Sequence, residues 1–292
     1  MPPRGGCRDL LSSSSNSEGT GRRGAALVID GNEIRGYDFA ARSIEAPPSP
    51  PWRNQAGYAP DQGWIEQTKE SNHGEEQSGS SVAKQINDEG GNAHFFKVDV
   101  SNEESVKMGL EKAIEVVGGI DVLVNNAGIE PPSKSLLDLT SEEYDRVLDI
   151  NLKGVWLMTK YTVPHMAKRG GGSIINIASV AGLKPLAGAM PYSVSKAGVI
   201  MFTMVSAIEL GKLKIRVNAI APGWVDTPMI ERAAKNLKMT PEEFKKLNSQ
   251  RVVLARFANP EEIANVAAFL ASEESSYMTG SVVVVDGGVS IT

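Results

Sequence analysis

Tyr192 and Lys196 lie four residues apart in the run Pro191-Tyr-Ser-Val-Ser-Lys196, and Ser179 precedes the tyrosine by thirteen positions. Residues four apart on a helix share a face, so a phenol and an ammonium at this spacing can meet. Residues 192–204 contain few helix breakers and read as one long, mostly apolar helix. A close positive charge lowers a phenol from its usual pKa of about 10 toward the neutral range. A phenol so tuned can serve as a general acid and base. The same pair also arises by chance on surface helices, so its meaning rests on the elements around it.

Those elements are strands that end in small polar turns. Ser173-Ile-Ile-Asn-Ile-Ala-Ser179 reads as a buried strand delivering Ser179 at its carboxyl end. Ile120-Asp-Val-Leu-Val-Asn-Asn-Ala-Gly128 is a second apolar strand, and Ala127 and Gly128 would let a ligand approach the backbone closely. Ile215-Arg-Val-Asn-Ala-Ile-Ala-Pro-Gly-Trp-Val-Asp-Thr227 is a third, running into a Pro-Gly turn with a hydroxyl four residues beyond the glycine. In open α/β sheets, ligands bind at the carboxyl ends of strands. More ordinary roles exist for some of these residues. Ser179 could cap a turn, as serines after strands often do. Asn151 could sit on the solvent face of a helix, and Asn125 could tie adjacent strands together.

These pieces, in this order, resemble the short-chain dehydrogenase/reductase family over about residues 81–292. The resemblance implies that Ser179, Tyr192 and Lys196 form the catalytic triad and that Asn151, in Asp149-Ile-Asn-Leu-Lys153, is the fourth catalytic position. It implies that Asn126, Ala127 and Gly128, after the structural Asn125, lie beside the adenosine of a bound dinucleotide. Asp99 and Val100, ending Phe95-Phe-Lys-Val-Asp-Val100, match the residues that meet the adenine ring. Pro222, Gly223, Val225 and Thr227 match the segment that holds the nicotinamide carboxamide, while Tyr192 and Lys196 also reach the nicotinamide ribose. The cofactor implied is NAD or NADP. The family usually assembles as dimers or tetramers through the helices at 143–168 and 192–211 and the last strand, so a homo-oligomer is expected.

With 292 residues, a formal net charge of −5 and a sequence pI near 5.4, the chain is sized for one large α/β domain and carries no basic cluster pointing to nucleic acid. Its single cysteine, Cys7, rules out an internal disulfide framework and fits a reducing compartment. No apolar run approaches the roughly 20 residues of a membrane helix, and no signal core opens the sequence. The opening is rich in Arg and Ser, as organelle transit segments are, but Asp9 and Glu18 count against that. A cytoplasmic protein with no membrane partner, acting on a small carbonyl or alcohol, is expected. No set of side chains is read as a metal site.

From residue 81 onward the punctuation is clear. Ser101-Asn-Glu-Glu104, Thr140-Ser-Glu-Glu143, Thr240-Pro-Glu-Glu243 and Asn259-Pro-Glu-Glu262 all read as helix starts, the last two with proline at the first helical position. Val106, Leu110, Ala113, Ile114 and Val117 recur at helical period until Gly118-Gly119. Apolar strands alternating with such helices predict a doubly wound, mostly parallel sheet covered on both faces. The polar, helical stretch at 229–250 is placed to be a lid over a substrate, or else a solvated excursion.

The first 80 residues depart from the family. The Thr-Gly-x-x-x-Gly-Ile-Gly loop that receives the pyrophosphate is absent. A serine run at 12–15, a proline-rich stretch at 47–51 and a polar tract at 67–81 read as a partly disordered leader. One island, Gly24-Ala-Ala-Leu-Val-Ile-Asp30, reads preferentially as the first strand. Gly31-Asn-Glu-Ile-Arg-Gly36 would then form a degraded glycine loop, with Glu33 and Asp38 where a pyrophosphate belongs. Alternatively the island is the second strand, with Asp30 on the adenosine ribose. If no first strand formed, the strand at 122–125 would show an unpaired edge. The expected activity is NAD(P)-dependent interconversion of a carbonyl and a secondary alcohol. The alternative is an impaired relative, acting as a binding or oligomer-forming protein because that loop is missing.

Overall fold

The computed structural model describes residues 24–30, 33–39, 74–131 and 133–292. Seven strands form one sheet in the spatial order β3 (Ala93–Lys97), β2 (Glu33–Phe39), β1 (Gly24–Asp30), β4 (Val122–Asn125), β5 (Gly172–Ile177), β6 (Ile215–Pro222), β7 (Val282–Val285). From β1 through β7 every neighbouring pair is parallel, whereas β2 runs antiparallel to both β1 and β3. The expected Rossmann-like α/β sheet is present, with its strand order reversing between β1 and β4.

Alternation along the central strands explains the two covered faces, because successive side chains point to opposite sides. Leu123, Ile174 and Val217 pack with Leu110, Leu157, Met158 and Ala207. These come from α2 (Glu103–Val117), α4 (Gly154–Arg169) and α5 (Met190–Leu210), which cover one face. Their sequence neighbours Val124 and Ile175, with Ile220, pack with Ala267 and Leu270 of α8 (Pro260–Ala271) on the other. At the edge, Val82, Ala83 and Ile86 of α1 (Gly74–Asp88) close over Ala93 and Phe95.

The helix-start readings hold with one shift of register. The cap of α2 is Asn102, whose side chain accepts from the Ser105 amide, while Ser101 bonds back to the Asp99 carboxylate. Thr140 and Thr240 close capping boxes on α3 (Ser141–Leu148) and α7 (Pro241–Ser249). At α8, Glu262 accepts from the Asn259 amide and from Arg256, and those partners hold its carboxyl down at about 2. The Gly118 stop adopts φ 80° as a left-handed cap, a conformation glycine reaches without strain.

The first third agrees with one of its two readings and corrects the other. β1 takes the first-strand place, with Ala26–Ile29 in register beside Val122–Asn125. Asp30 therefore does not end a second strand, and β4 has no bare edge. The segment after β1 is not a degraded glycine loop. The register pairs Asp30 with Glu33, so only two residues separate β1 from an antiparallel β2 that includes Glu33 and Asp38. The β-branched and aromatic residues Ile34, Tyr37 and Phe39 are the strand-like feature that glycine counting passed over. The serine run at 12–15, the proline-rich stretch and residues 67–73 of the polar tract lie outside the described residues, whereas residues 74–81 of that tract open α1 rather than belonging to a disordered leader.

A second correction concerns α5. Residues Met190–Leu213 are long and apolar enough, by length and composition alone, to cross a membrane, contrary to the reading that no such run exists. The helix instead lies on the sheet, with Val199, Ile200 and Ala207 buried.

Buried polar groups fix how α4 and α5 sit on the sheet. Asn125 on β4 donates to the Asn176 side chain on β5 (2.8 Å) and to Thr159 on α4 (3.3 Å), and Asn176 donates to Thr203 on α5 (2.9 Å). The expectation that Asn125 ties strands together is met. Replacing one member leaves the others desolvated without a partner, which costs about 1–3 kcal/mol for each orphaned group. Asn176→Ala is expected to lower the unfolding free energy by about 2–4 kcal/mol, read as a drop in the urea midpoint at constant m-value.

Candidate active site

The carboxyl ends of β4, β5 and β6 open into a cleft of about 740 Å³. Asn126 and Gly128 follow β4, Ser179 follows β5, and Pro222, Gly223, Val225 and Thr227 come at the end of β6 and just beyond it, all on the cleft wall. Tyr192 and Lys196 reach the same wall from the first turns of α5. The stretch at 229–250 arrives as α6 (Pro228–Asn236) and α7, which share an aromatic core with Trp224 and Phe257. Met229, Ile230 and Gln250 face the cleft from it.

Lys196 is almost fully buried, 4% exposed, and its ammonium donates to the Ile177 carbonyl at 2.8 Å. Its Nζ lies 5.7 Å from the Tyr192 ring centroid, so the pair meets as the i,i+4 spacing predicts. Ser179 takes the capping role weighed for it while standing on the cleft wall. Its Oγ accepts from the Ala181 amide at 3.1 Å, capping a single turn of 3₁₀ helix at Val180–Gly182. That bond occupies one lone pair and leaves the hydroxyl proton available to a ligand.

Asn151 is fully buried, not solvent-facing. It sits in a π-turn, Asp149–Lys153, inserted between α3 and α4, and such turns often mark functional positions. Its Oδ1 accepts from the Ile129 amide (2.8 Å), and its Nδ2 donates to the Ile129 carbonyl (2.9 Å) and to Ser195 Oγ (3.1 Å). Ser195 in turn donates to the Tyr192 carbonyl at 2.7 Å. This buried serine was not singled out from the sequence. Its position one residue before Lys196 was the available signal.

Three of the expected cofactor residues are not on the cleft wall. Ala127 is packed in the core, and Val100 is 1% exposed against Gly154. The Asp99 carboxylate accepts from the Ser101 amide (2.9 Å) and hydroxyl (2.6 Å).

Comparison with known proteins fits this geometry. The family model described as enoyl-(acyl carrier protein) reductase matches residues 71–290. The 3-oxoacyl-acyl-carrier-protein reductase of Thermotoga maritima is 42% identical over 211 residues, covering 72% of this chain and 82% of the relative. The cis-4-hydroxycyclohexanecarboxylate dehydrogenase of Sinomonas cyclohexanicum is 38% identical over 207 residues, covering 71% and 80%. The crystal structure of levodione reductase superposes with a TM-score of 0.68 at 36% identity, covering 76% of this chain and 86% of that one. The chain belongs to the short-chain dehydrogenase/reductase family. At the level of the family it is an NAD(P)-dependent oxidoreductase.

The residues present fit the nicotinamide half of such a dinucleotide. Gly128 and Gly223 bring backbone to the cleft where side chains would intrude. A methyl on Gly128 would lie 3.3 Å from Lys196 Nζ, and one on Gly223 would meet the Asp286 backbone at 2.8 Å. At the pyrophosphate the fit fails, since β1 passes to β2 with no loop-to-helix segment between them.

Gly182 is a further residue that sequence reasoning missed. A methyl there would meet the Lys196 carbonyl carbon at 2.6 Å and the Ala197 amide nitrogen at 2.7 Å, so the turn after Ser179 presses directly on α5. Neither neighbour is a flexible side-chain end, so the helix itself must move. Gly182→Ala is expected to cost about 1–3 kcal/mol of stability and to lower kcat at least tenfold, checked by urea unfolding alongside steady-state kinetics.

Proposed function

We propose that this protein transfers hydride reversibly between NAD or NADP and a small carbonyl or secondary alcohol, with Tyr192 as general acid and base. The supporting observation is the buried Lys196 ammonium, fixed on the Ile177 carbonyl beneath the Tyr192 ring, with Ser179 on the same cleft wall. A fixed cation favours the phenolate, so Tyr192 can give a proton to a developing alkoxide and take one back in reverse. Ser179, with one lone pair engaged by Ala181, offers its hydroxyl proton to the substrate oxygen and steadies charge there. Bound nicotinamide supplies or receives the hydride. Lys196, Pro222, Gly223, Val225 and Thr227 would hold that end, and Asn126 and Gly128 would hold its neighbour. Asn151 has both amide donors engaged, but Oδ1 keeps a second lone pair toward Gly128, on the side of Lys196. It can therefore anchor the path by which protons return to Lys196.

Tyr192→Phe removes the transferable proton and little volume. It is expected to leave the urea midpoint unchanged while kcat falls by about three powers of ten or more, measured with NADH and NADPH over a panel of ketones. Fluorescence titration with the two nucleotides shows whether the cofactor binds independently of turnover. Retained activity would remove Tyr192 from the acid role, and no binding at millimolar nucleotide would favour a binding or scaffold protein.

We also propose a homo-oligomer in the cytoplasm. Met201, Val205 and Ile208 follow one another at helical spacing on α5 and are 59%, 45% and 82% exposed, with Trp156 of α4 also exposed. An apolar face of this kind is what an interface between copies would bury. Light scattering is expected to give at least twice the mass of one chain, and Ile208→Glu to shift it toward the monomer.

A further inference from the structure

The reacting end of the cleft is mostly apolar on its outer side, where Val180, Pro185, Leu186, Trp224, Met229 and Ile230 face it. One carboxyl interrupts that wall. Glu130 follows Ile129, whose amide and carbonyl are both pinned by Asn151, so its backbone is held by a buried residue beside the Tyr192–Lys196 pair. Across from it lies Arg232 on α6, near enough for its charge to act on the carboxyl. Glu130 therefore stands between the catalytic wall and α6.

Burial raises the Glu130 carboxyl above the usual carboxylate range, with Arg232 pulling the other way. Glu130 is partly exposed toward the cleft, and a carboxyl drawn away from water gains from a donor on that side beyond the charge of Arg232. The charges around the site narrow the choice of donor. Lys184, Lys196 and Arg251 on the cleft wall, with Arg232 on α6, disfavour a cationic ligand, while Glu130 itself disfavours an anionic group placed directly against it. A neutral molecule carrying an additional hydroxyl meets both conditions, and its carbon skeleton suits the apolar wall.

We propose that Glu130 is a specificity-determining residue that accepts a hydrogen bond from a second hydroxyl of the substrate, so that the preferred substrates are neutral diols, polyols and hydroxyketones. This rests on the oxidoreductase reading of the same cleft and adds the class of molecule that the cleft selects. A site built to bond a hydroxyl rejects the analogue lacking it, because its own polar group is then left without a partner.

The test compares cyclohexane-1,2-diol with cyclohexanol in the full-length protein, using NAD and NADP as oxidants. The wild type is expected to favour the diol in kcat/KM by about tenfold to a hundredfold, the usual weight of a hydrogen bond to a charged group. Glu130→Gln keeps the shape and halves the acceptor capacity, and it is expected to cut that ratio at least tenfold. Glu130→Asp is expected to restore part of it, which a purely structural carboxyl would not predict. A ratio that stays the same in Glu130→Gln, or a wild type indifferent to the second hydroxyl, overturns the assignment. Saturation-transfer NMR of the two alcohols makes the same comparison without turnover. Diol-selective binding that Glu130→Gln abolishes sustains the role of Glu130 even if neither alcohol is oxidised, a result that would count against the oxidoreductase reading alone. Equal binding of both alcohols counts against Glu130.

Discussion

A buried ammonium is the constraint around which the site is arranged. Removing Lys196 from water costs several kcal/mol unless its donors find acceptors. The Ile177 carbonyl at 2.8 Å is one, and the face of Tyr192 adds a weaker attraction. That carbonyl is the last of β5, so the cation is referenced to the sheet, while its backbone is referenced to α5. The geometry of the Tyr192–Lys196 pair therefore depends on how α5 sits against β5. Two features set this: the side-chain ladder through Asn125, Asn176 and Thr203, and the contact of Gly182 with the backbone at Lys196 and Ala197. One is polar and directional, the other purely steric, and together they leave the helix little freedom to slide or roll.

The sheet keeps its order where the chemistry is and changes it where the dinucleotide would be gripped. In a crossover of strand, helix and strand, the helix amino end offers free amides to a pyrophosphate. An antiparallel β1–β2 pair satisfies the same backbone groups within the sheet and offers no such end. The edge of β4 is covered either way, which is why the rest of the domain assembles around the substitution. Among the described residues, Lys196, Pro222, Gly223, Val225 and Thr227 line the cleft at the end proposed for the nicotinamide.

Legibility in the sequence divides by physical range. The Tyr192–Lys196 meeting comes from helix spacing alone, and the strand ends carrying Gly128, Ser179 and Gly223 come from apolar runs stopped by small residues. Helix starts were legible because capping is a contact between neighbours, although Asn102 rather than Ser101 takes the cap. Asn151 was less legible, since its burial comes from a π-turn that periodicity does not encode. Gly182 and Ser195 act only through segments brought close by folding, so their sequence neighbourhood shows nothing unusual. The first third misled in a specific way. Glycines invited comparison with a loop, whereas Ile34, Tyr37 and Phe39 already favoured a strand by residue type.

The π-turn also explains how one asparagine serves two elements. An extra residue in the turn between α3 and α4 rotates Asn151 off the helix surface and into the core. Once there, its carboxamide pairs with both main-chain groups of Ile129 in the manner of a strand partner, and its remaining donor reaches Ser195. The loop after β4 is thereby tied to the first turns of α5, although the two share no direct backbone bond among those described. Gly128, on that loop, lies close to Lys196 and Asn151, since a Cβ there would come 3.3 Å from Lys196 Nζ and 3.5 Å from Asn151 Oδ1. A substitution at Asn151 would therefore disturb the position of Glu130 and that of Tyr192 together, through a single buried amide.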